Sequence, residues 1–305
     1  MLYHKYRPKN FDEFVGNEDT IETLKGDLDK EDKPHAYLFL GGTGCGKTTL
    51  GRIVARELGC KGRDFREVDS ADFRGIDTIR DIRRKSRFLP LEGECLVWLI
   101  DECHKMTNDA QNALLKALED TPDHVYYLLA TTDPQKLLAT IKGRCSQYPV
   151  KPLSEKRMMR LLRGVVKSEG ESLQKKVYDQ IVQDSMGHPR NALQILDQVL
   201  GVDSDRRLQI ASQAAEEQSE SIALCRALME GAGWKKIRNI LSGLKEAETE
   251  SIRRHVLSYC TSTLLRGDDL RAGEVMDEFV NPFFNSGFPG LVFACYTVVK
   301  ASEGE

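Results

Sequence analysis

The chain has 305 residues, 40% of them apolar, which is enough for two or three domains with real hydrophobic cores. Its 44 lysines and arginines nearly balance its 47 aspartates and glutamates, and the net charge of −3 excludes a protein that coats nucleic acid with its whole surface. The N-terminus lacks the apolar segment of a signal peptide and no stretch is as long as a membrane span, so we expect a cytoplasmic protein without a membrane partner.

Alternating strands and helices are predicted over the first half of the chain. A helix at about 18–28, capped by Asn17, precedes an apolar strand at 36–40. Further short apolar strands are predicted at 65–68, 95–100, 125–130 and 145–150. Helices are predicted at 47–58, closed by Gly59, at 77–88, at 108–119, capped by Thr107, and at 136–142. This alternation is typical of an α/β fold in which helices flank a parallel sheet.

From residue 153 onward the sequence predicts helices only. Three helices are expected over 155–200, the third beginning at His188-Pro189 because proline suits the first position of a helix. A linker at 201–204 separates them from a further all-helical region. The eight cysteines are at least eight positions apart, which excludes Cys-x-x-Cys zinc spacing and predicts reduced, mostly buried thiols.

A phosphate-binding loop is predicted at Gly41-Gly42-Thr43-Gly44-Cys45-Gly46-Lys47-Thr48, between a strand and a helix. Glycines at this spacing let backbone N–H groups turn toward a polyphosphate, and the positive end of the following helix, which includes Thr49, points at the same anion. Lys47 is expected to reach the β- and γ-phosphates and the Thr48 hydroxyl to bind Mg²⁺. A glycine-rich turn without a ligand is the alternative, and it would require six constrained features to coincide.

A second motif follows the predicted strand at 95–100, which ends in Asp101 and Glu102. In a phosphate-loop protein, Asp101 is expected to hold Mg²⁺ through its water shell and Glu102 to polarise the water that attacks the γ-phosphate. Two acids after a strand are by themselves more often a solvated loop. Their distance from Lys47, with a strand and a helix between, favours the hydrolytic interpretation.

These motifs resemble the AAA+ ATPases of DNA clamp loaders, namely the tau/gamma subunit of bacterial DNA polymerase III and the small subunits of replication factor C. The resemblance covers about residues 3–200. Besides the two motifs, it is carried by Tyr6-Arg7-Pro8 with Phe14-Val15-Gly16, by Leu129-Ala130-Thr131-Thr132-Asp133-Pro134-Gln135-Lys136, and by Gly187-His188-Pro189-Arg190-Asn191-Ala192-Leu193. It implies an AAA+ nucleotide-binding domain over 1–152, a three-helix lid domain over 153–202 and an all-helical collar for oligomerisation over 203–305. It also implies nucleotide contacts for Tyr6, Arg7, Pro8, Val15 and Gly16.

The same resemblance assigns roles to three further residues. It implies that Thr132 is the sensor that helps position the attacking water, and that Arg190 is a second sensor that contacts the nucleotide phosphates. Arg144, in Lys142-Gly143-Arg144-Cys145, resembles a finger inserted into the neighbouring subunit's site, where one guanidinium can change the rate by several powers of ten. The family has serine where this chain has Gly143, so we expect a looser presentation of Arg144. The ordinary alternatives are a turn-capping Thr132 and a solvated Arg190.

A basic stripe is predicted on the helix at 77–88. Its members, with the nearby Arg74, are Arg80, Arg83, Arg84 and Arg87, which fall at i, i+3, i+4 and i+7 and so share one helical face. Such a face suits a phosphate backbone, although the residues alone leave a merely solvated face equally open. The clamp-loader resemblance places this region toward a chamber that grips primer-template DNA and favours DNA binding.

The resemblance therefore implies an ATP- and Mg²⁺-dependent ATPase subunit that opens a sliding clamp and loads it onto primer-template DNA. It would act within a ring-like homo- or hetero-oligomer, pentameric by the same resemblance. The four-cysteine zinc module of bacterial relatives has no room at 60–63, and the chain is short, so we interpret it as a minimal form closer in plan to replication factor C small subunits or phage-encoded loaders. Two alternatives stay open: a non-hydrolysing stator of the same assembly, and another AAA+ DNA motor such as a branch-migration helicase.

Overall fold

The computed structural model describes residues 1–218, 220–245, 249–265 and 267–303. The chain divides into two compact units: one holds 3–157 together with 188–190, and the other holds 1–2, 158–187 and the residues from 191 onward. The second unit thus contains helices from both of the predicted helical domains. Among the described residues, no helix has the length and apolar character needed to cross a bilayer.

A five-stranded sheet forms the centre of the first unit. Its strands are β1 (Ala36–Leu40), β2 (Phe65–Asp69), β3 (Leu96–Asp101), β4 (Val125–Thr131) and β5 (Ser146–Pro149). All neighbouring pairs are parallel and the strand order is β2-β3-β4-β1-β5. Strand β4 therefore lies between β1 and β3, and the carboxyl ends of these three strands meet at one edge of the sheet. This edge carries the predicted site.

Helices cover both faces of this sheet. They are α2 (Glu18–Leu28), α3 (Lys47–Glu57), α4 (Ile76–Lys85), α5 (Asn108–Glu119) and α6 (Ala139–Gly143), preceded in the chain by α1 (Leu2–Lys5). Alternate residues of β1 belong to two different apolar clusters. Tyr37 and Phe39 pack in the cluster that includes α2 and α3. Ala36 and Leu38 pack in the cluster that includes α4 and α5. A strand buried on both faces must be apolar throughout, which explains the unbroken run that the sequence shows at β1.

Two predicted helices differ from the observed ones. The helix predicted at 77–88 ends at Lys85. The segment predicted as a helix at 136–142 begins as a 3-10 turn, Pro134–Lys136, and becomes helical only at α6. The buried Gln111 side chain explains the interruption, because it donates to Lys136 O at 3.2 Å and accepts from Leu138 N at 2.9 Å. These bonds hold the backbone extended between the two helical pieces.

The predicted helix ends are confirmed at two positions and wrong at one. Thr107 caps α5 by accepting from Ala110 N, and Gly59 follows α3 with a left-handed φ of 79°. Asn17 does not cap α2 through its side chain, since its own φ is 57°. Its amide instead donates to Lys151 O at 3.1 Å and accepts from Lys151 N at 2.7 Å, which ties the start of α2 to the end of β5.

The second unit is helical. Its helices are α7 (Glu155–Ser168), α8 (Lys175–Ser185), α9 (Pro189–Leu200), α10 (Arg207–Gln218), α11 (Glu220–Met229), α12 (Trp234–Gly243), α13 (Thr249–Leu264), α14 (Leu270–Phe279) and α15 (Gly287–Glu303), with the first residues of α7 and α9 grouped with the sheet. The three helices predicted over 155–200 are thus confirmed. All eight cysteines are buried and free of disulfides, as predicted.

A buried ion pair joins helices of this unit. Arg226 of α11 donates to the carboxylate of Asp184 on α8 and to the carbonyl of Ser212 on α10. The side chains of Arg226 and Asp184 are 6% and 0% exposed. Removing one partner of such a pair leaves an uncompensated buried charge, a loss of about 3–5 kcal/mol. The pair therefore links α8 to α10 and α11.

Candidate nucleotide-binding and hydrolysis site

The loop between β1 and α3 has the backbone that its glycines were predicted to provide. Gly44 and Gly46 have left-handed φ values of 76° and 106°. A Cβ on Gly41 would lie 2.1 Å from the carbonyl oxygen of Val150, so a side chain cannot fit at this position. A Cβ on Gly46 would lie 3.0 Å from the ring of Phe14. The loop is therefore held between β5 and the N-terminal segment.

Lys47 lies inside this loop. Its side chain is 5% exposed, and Nζ donates to the carbonyls of Gly41 and Gly42, each at 2.9 Å. Burial lowers the pKa of Lys47, while the carboxylates of Glu102 and Asp101 act in the opposite direction. A buried ammonium held by loop carbonyls is a positive charge available to a polyphosphate in the same loop.

Thr48 and Asp101, the two residues predicted to bind Mg²⁺, contact each other. Thr48 Oγ1 donates to Asp101 Oδ2 at 2.6 Å, and Asp101 Oδ1 accepts from Glu102 N at 2.9 Å. Mg²⁺ prefers oxygen ligands and is commonly bound by one or two protein groups together with substrate phosphates. Within the described ranges, no group of three or more His, Cys, Asp or Glu forms an all-protein metal cage. The hydroxyl and carboxylate fit a magnesium ion that arrives with a nucleotide.

Glu102 is held by two partners at the carboxyl ends of β3 and β4. Thr132 Oγ1 donates to Glu102 Oε2 at 3.0 Å. His104 Nδ1 lies 3.3 Å from the same oxygen and 3.1 Å from Thr131 Oγ1. Glu102 also has a left-handed φ of 47°, a conformation that costs a non-glycine residue on the order of 1 kcal/mol and is concentrated at functional sites. The carboxylate is thus aimed by its surroundings.

His104 is a site residue that the sequence interpretation missed. Its side chain is 10% exposed. Burial lowers its pKa, which favours the neutral imidazole, while the charge of Glu102 opposes this shift. The sequence signal was its position two residues after Glu102, on the 3-10 turn Cys103–Lys105. The turn directs the side chain of His104, the third residue after β3, toward the edge of the sheet.

Arg7 and Arg190 add positive charge around the loop. Burial, followed by the charges of Arg52 and Arg190, lowers the pKa of Arg7, and Arg190 acts in the same direction on the pKa of Lys47. Gly16 is buried with a φ of 79°, and a Cβ there would lie 2.5 Å from Leu153. The other predicted nucleotide contacts are partly buried or exposed. They lie in the N-terminal segment, at Tyr6, Pro8 and Val15, and in the phosphate loop and the start of α3, at Thr43 and Thr49.

Arg144 lies apart from these residues at the end of α6. Its guanidinium donates to Glu119 Oε1 at 2.5 Å and to the carbonyl of Thr140 at 3.3 Å, and its side chain is 39% exposed. The acceptors of these hydrogen bonds thus lie on α5 and α6, and not in the phosphate loop. A Cβ on Gly143 would meet nothing within 4 Å, so a serine would fit there. The expectation of a looser arginine stays a prediction.

The basic stripe is smaller than predicted and is already paired. Arg80 contacts Asp77 at 3.0 Å, Arg83 contacts Asp120 at 3.1 Å, and Arg84 contacts Asp81 at 2.5 Å. Arg87 lies beyond the end of α4, so its assignment to this helical face is wrong. Arg74 donates to the carbonyl of Ala71 at 3.0 Å. Exposed ion pairs of this kind contribute about 0–1 kcal/mol, so phosphates could replace the carboxylates, and DNA binding stays a prediction.

Known proteins with similar sequences include subunits of DNA polymerase III. A family model described as DNA polymerase III, delta subunit, matches residues 63–154. The DNA polymerase III subunit gamma/tau of Mycobacterium tuberculosis (strain ATCC 25618 / H37Rv) is 36% identical over 227 residues, covering 67% of this chain and 39% of the relative. The tau subunit of Escherichia coli (strain K12) is 30% identical over 284 residues, covering 84% of this chain and 43% of the relative. The chain is similar in sequence to these gamma/tau subunits of DNA polymerase III. It spans about two fifths of the length of these curated relatives.

Solved structures with the same architecture include RuvB proteins of Thermotoga maritima. A structure of one RuvB point variant has a TM-score of 0.62 at 21% identity and covers 85% of this chain and 91% of its own. The structure titled RuvB Holliday junction branch migration motor has a TM-score of 0.58 at 21% identity and covers 78% and 85%. At such identities the likeness establishes the fold alone, and the predicted α/β domain with a parallel sheet followed by helical regions is confirmed.

Proposed function

We propose that this chain is an ATP-hydrolysing subunit of a DNA clamp loader, which opens a sliding clamp and places it on primer-template DNA within a ring-like oligomer. One observation carries the proposal: the Thr48–Asp101 bond of 2.6 Å and the Thr132–Glu102 bond of 3.0 Å lie at the same sheet edge as Lys47. This is the set of groups that phosphoryl transfer from a nucleotide requires. The similarity to gamma/tau subunits supports the choice of reaction partners.

The residues have separate tasks in this proposal. Lys47 and Arg190 bind and neutralise the phosphates of ATP. Thr48 and Asp101 would hold Mg²⁺, and the ion would offset part of the negative charge of the phosphates. Glu102 accepts a proton from the attacking water, and Thr132 keeps the carboxylate oriented toward it.

Arg144 is proposed to act on a neighbouring subunit. The γ-phosphate transition state spreads negative charge, and an arginine supplied in trans stabilises it. An exposed guanidinium held by Glu119 at 2.5 Å is accessible to a neighbour's nucleotide, provided that this surface pair opens. Exposed ion pairs are weak enough for such an exchange.

The two alternatives differ in what supports them. A non-hydrolysing stator needs neither a base nor a sensor, whereas Glu102 and Thr132 are present and bonded to each other at 3.0 Å. A branch-migration motor is favoured by the RuvB likeness, which covers 85% of this chain but at 21% identity. Identities of 30–36% to gamma/tau subunits over at least 67% of the chain favour the clamp loader.

The test is the ATPase rate of the full chain with the proteins that copurify with it. Rates are measured with ATP alone, with primed DNA, with primed DNA and a sliding clamp, and with four-way junction DNA. A clamp-loader subunit is expected to be stimulated most by clamp and primed DNA together. Absence of hydrolysis under all conditions would indicate the stator, and stimulation by the junction alone would indicate the branch-migration motor. Lys47→Ala serves as the inactive control.

A further inference from the structure

His188 lies against the phosphate loop. Its Nδ1 is 3.3 Å from the sulfur of Cys45. A Cβ placed on Gly42 would lie 3.3 Å from His188 Cε1 and 3.6 Å from the Cys45 sulfur. The imidazole therefore covers the loop between positions 42 and 45. This contact explains why a side chain larger than glycine would be crowded at position 42.

A short segment leads from His188 through Pro189 to Arg190. Residues 188–190 belong to the same compact unit as the loop. Met186 and Gly187, just before them, have left-handed φ values of 49° and 78°. Pro189 follows and begins α9 with the restricted φ of proline. The contact of His188 with the loop and the fixed φ of Pro189 therefore restrict the backbone between His188 and Arg190.

The sulfur of Cys45 is suited to a structural hydrogen bond. Cys45 is 3% exposed, and burial raises the pKa of its thiol, although Lys47 acts in the opposite direction. The group therefore stays protonated near neutral pH and can donate its S–H to the imidazole nitrogen. A buried neutral thiol is a poor nucleophile, which argues for a positioning role and against a reactive one.

We propose that the hydrogen bond between Cys45 and His188 is a positioning contact, which holds Arg190 in place for the nucleotide phosphates before the nucleotide binds. The inference rests on the proposed function in one respect, namely that a nucleotide occupies the loop. Fixing Arg190 in advance removes the cost of ordering its segment on binding and so increases affinity. Neither residue needs to touch the nucleotide for this effect.

The experiment measures equilibrium binding of a fluorescent, slowly hydrolysed ATP analogue to the full chain. Cys45→Ala is expected to weaken binding by roughly 2- to 10-fold, the range of one ordinary hydrogen bond. Cys45→Ser keeps a donor and should restore most of the affinity. Cys60→Ala is a matched control, because Cys60 is also buried but lies in the connection after α3. His188→Ala provides a second variant should Cys45→Ala fold poorly.

A double-mutant cycle separates positioning from simple packing. If the contact acts through Arg190, Cys45→Ala should have no further effect in an Arg190→Ala background. Additive losses, or parent-like affinity of both Cys45→Ala and His188→Ala, would overturn the inference and leave the proposed function intact. A parent chain that binds no analogue would instead overturn the proposed function, and the positioning role with it.

Discussion

Thr132→Val is expected to slow ATP turnover by one to two orders of magnitude while nucleotide binding persists. The substitution keeps the shape of threonine and removes the hydroxyl that donates to Glu102 Oε2 at 3.0 Å. Glu102 is 22% exposed, so this bond is largely shielded from water. A hydrogen bond to a charged group contributes about 1.5–3 kcal/mol. At about 1.4 kcal/mol per factor of ten, its loss corresponds to roughly a 12- to 140-fold decrease in kcat.

Phosphate release at saturating ATP, with clamp and primed DNA present, is the assay for this prediction. Thr132→Ser keeps the hydroxyl and should retain most of the parent rate. Binding of an ATP analogue is measured in parallel, since a loss of affinity would point to a misfolded loop. A Thr132→Val rate within twofold of the parent refutes the reasoning. A faster variant would show that the bond restrains Glu102 away from water instead of orienting it.

The remaining predictions concern the loop, the basic stripe and the proposed finger. Lys47→Ala should abolish binding of an ATP analogue, because it removes the buried positive charge that contacts the phosphates. Glu102→Gln should still bind the analogue but release no phosphate, because it lacks the base. Alanine at the three stripe arginines of α4, Arg80, Arg83 and Arg84, together with Arg87 just beyond the helix, should weaken binding to primed DNA. The slope of log affinity against log salt should fall by up to about 0.9 per lost duplex phosphate contact, without a lower basal ATPase rate. Arg144→Ala should bind ATP but hydrolyse it poorly, and mixing it with Glu102→Gln should restore some activity, because one subunit then supplies the base and the other the finger.

Each of these predictions has an outcome that contradicts it. Parent-rate hydrolysis by Glu102→Gln would remove the base assignment. An unchanged salt slope would leave the stripe as a solvated face neutralised by its own carboxylates. Mixtures of Arg144→Ala and Glu102→Gln that co-assemble, as shown by native mass measurement, and still fail to hydrolyse ATP would remove the trans assignment.

The parts of the site that follow strands could be predicted from the sequence. Lys47, Thr48 and Asp101 lie at fixed offsets from apolar strands, and parallel strands bring those offsets to one edge whatever the rest of the chain does. The Thr48–Asp101 bond of 2.6 Å is the direct result. Local patterns also predicted the α5 cap at Thr107, because its partner Ala110 is three residues away.

Contacts between side chains distant in sequence could not be predicted in this way. Asn17 was expected to cap its own helix, but its partner is Lys151 in another segment. Periodicity placed Arg83 on a free basic face, yet Asp120 from the end of α5 lies 3.1 Å away. His188 was predicted only as a helix start and as part of a resemblance, and its contact with Cys45 spans 143 positions. In each case the fold, and not the local pattern, supplies the partner.

The ion pair between Asp184 and Arg226 limits how this protein can be divided. A truncation after residue 202, drawn where the linker was predicted, would remove Arg226 and leave Asp184, which is 0% exposed, without its cation. It would also expose the surface of α8 against which α10 packs. Such a fragment would be prone to aggregation even though its phosphate loop and both carboxylates are intact. A cut between the predicted lid and collar is therefore a cut through one compact unit, in which the ion pair ties α8 to α11.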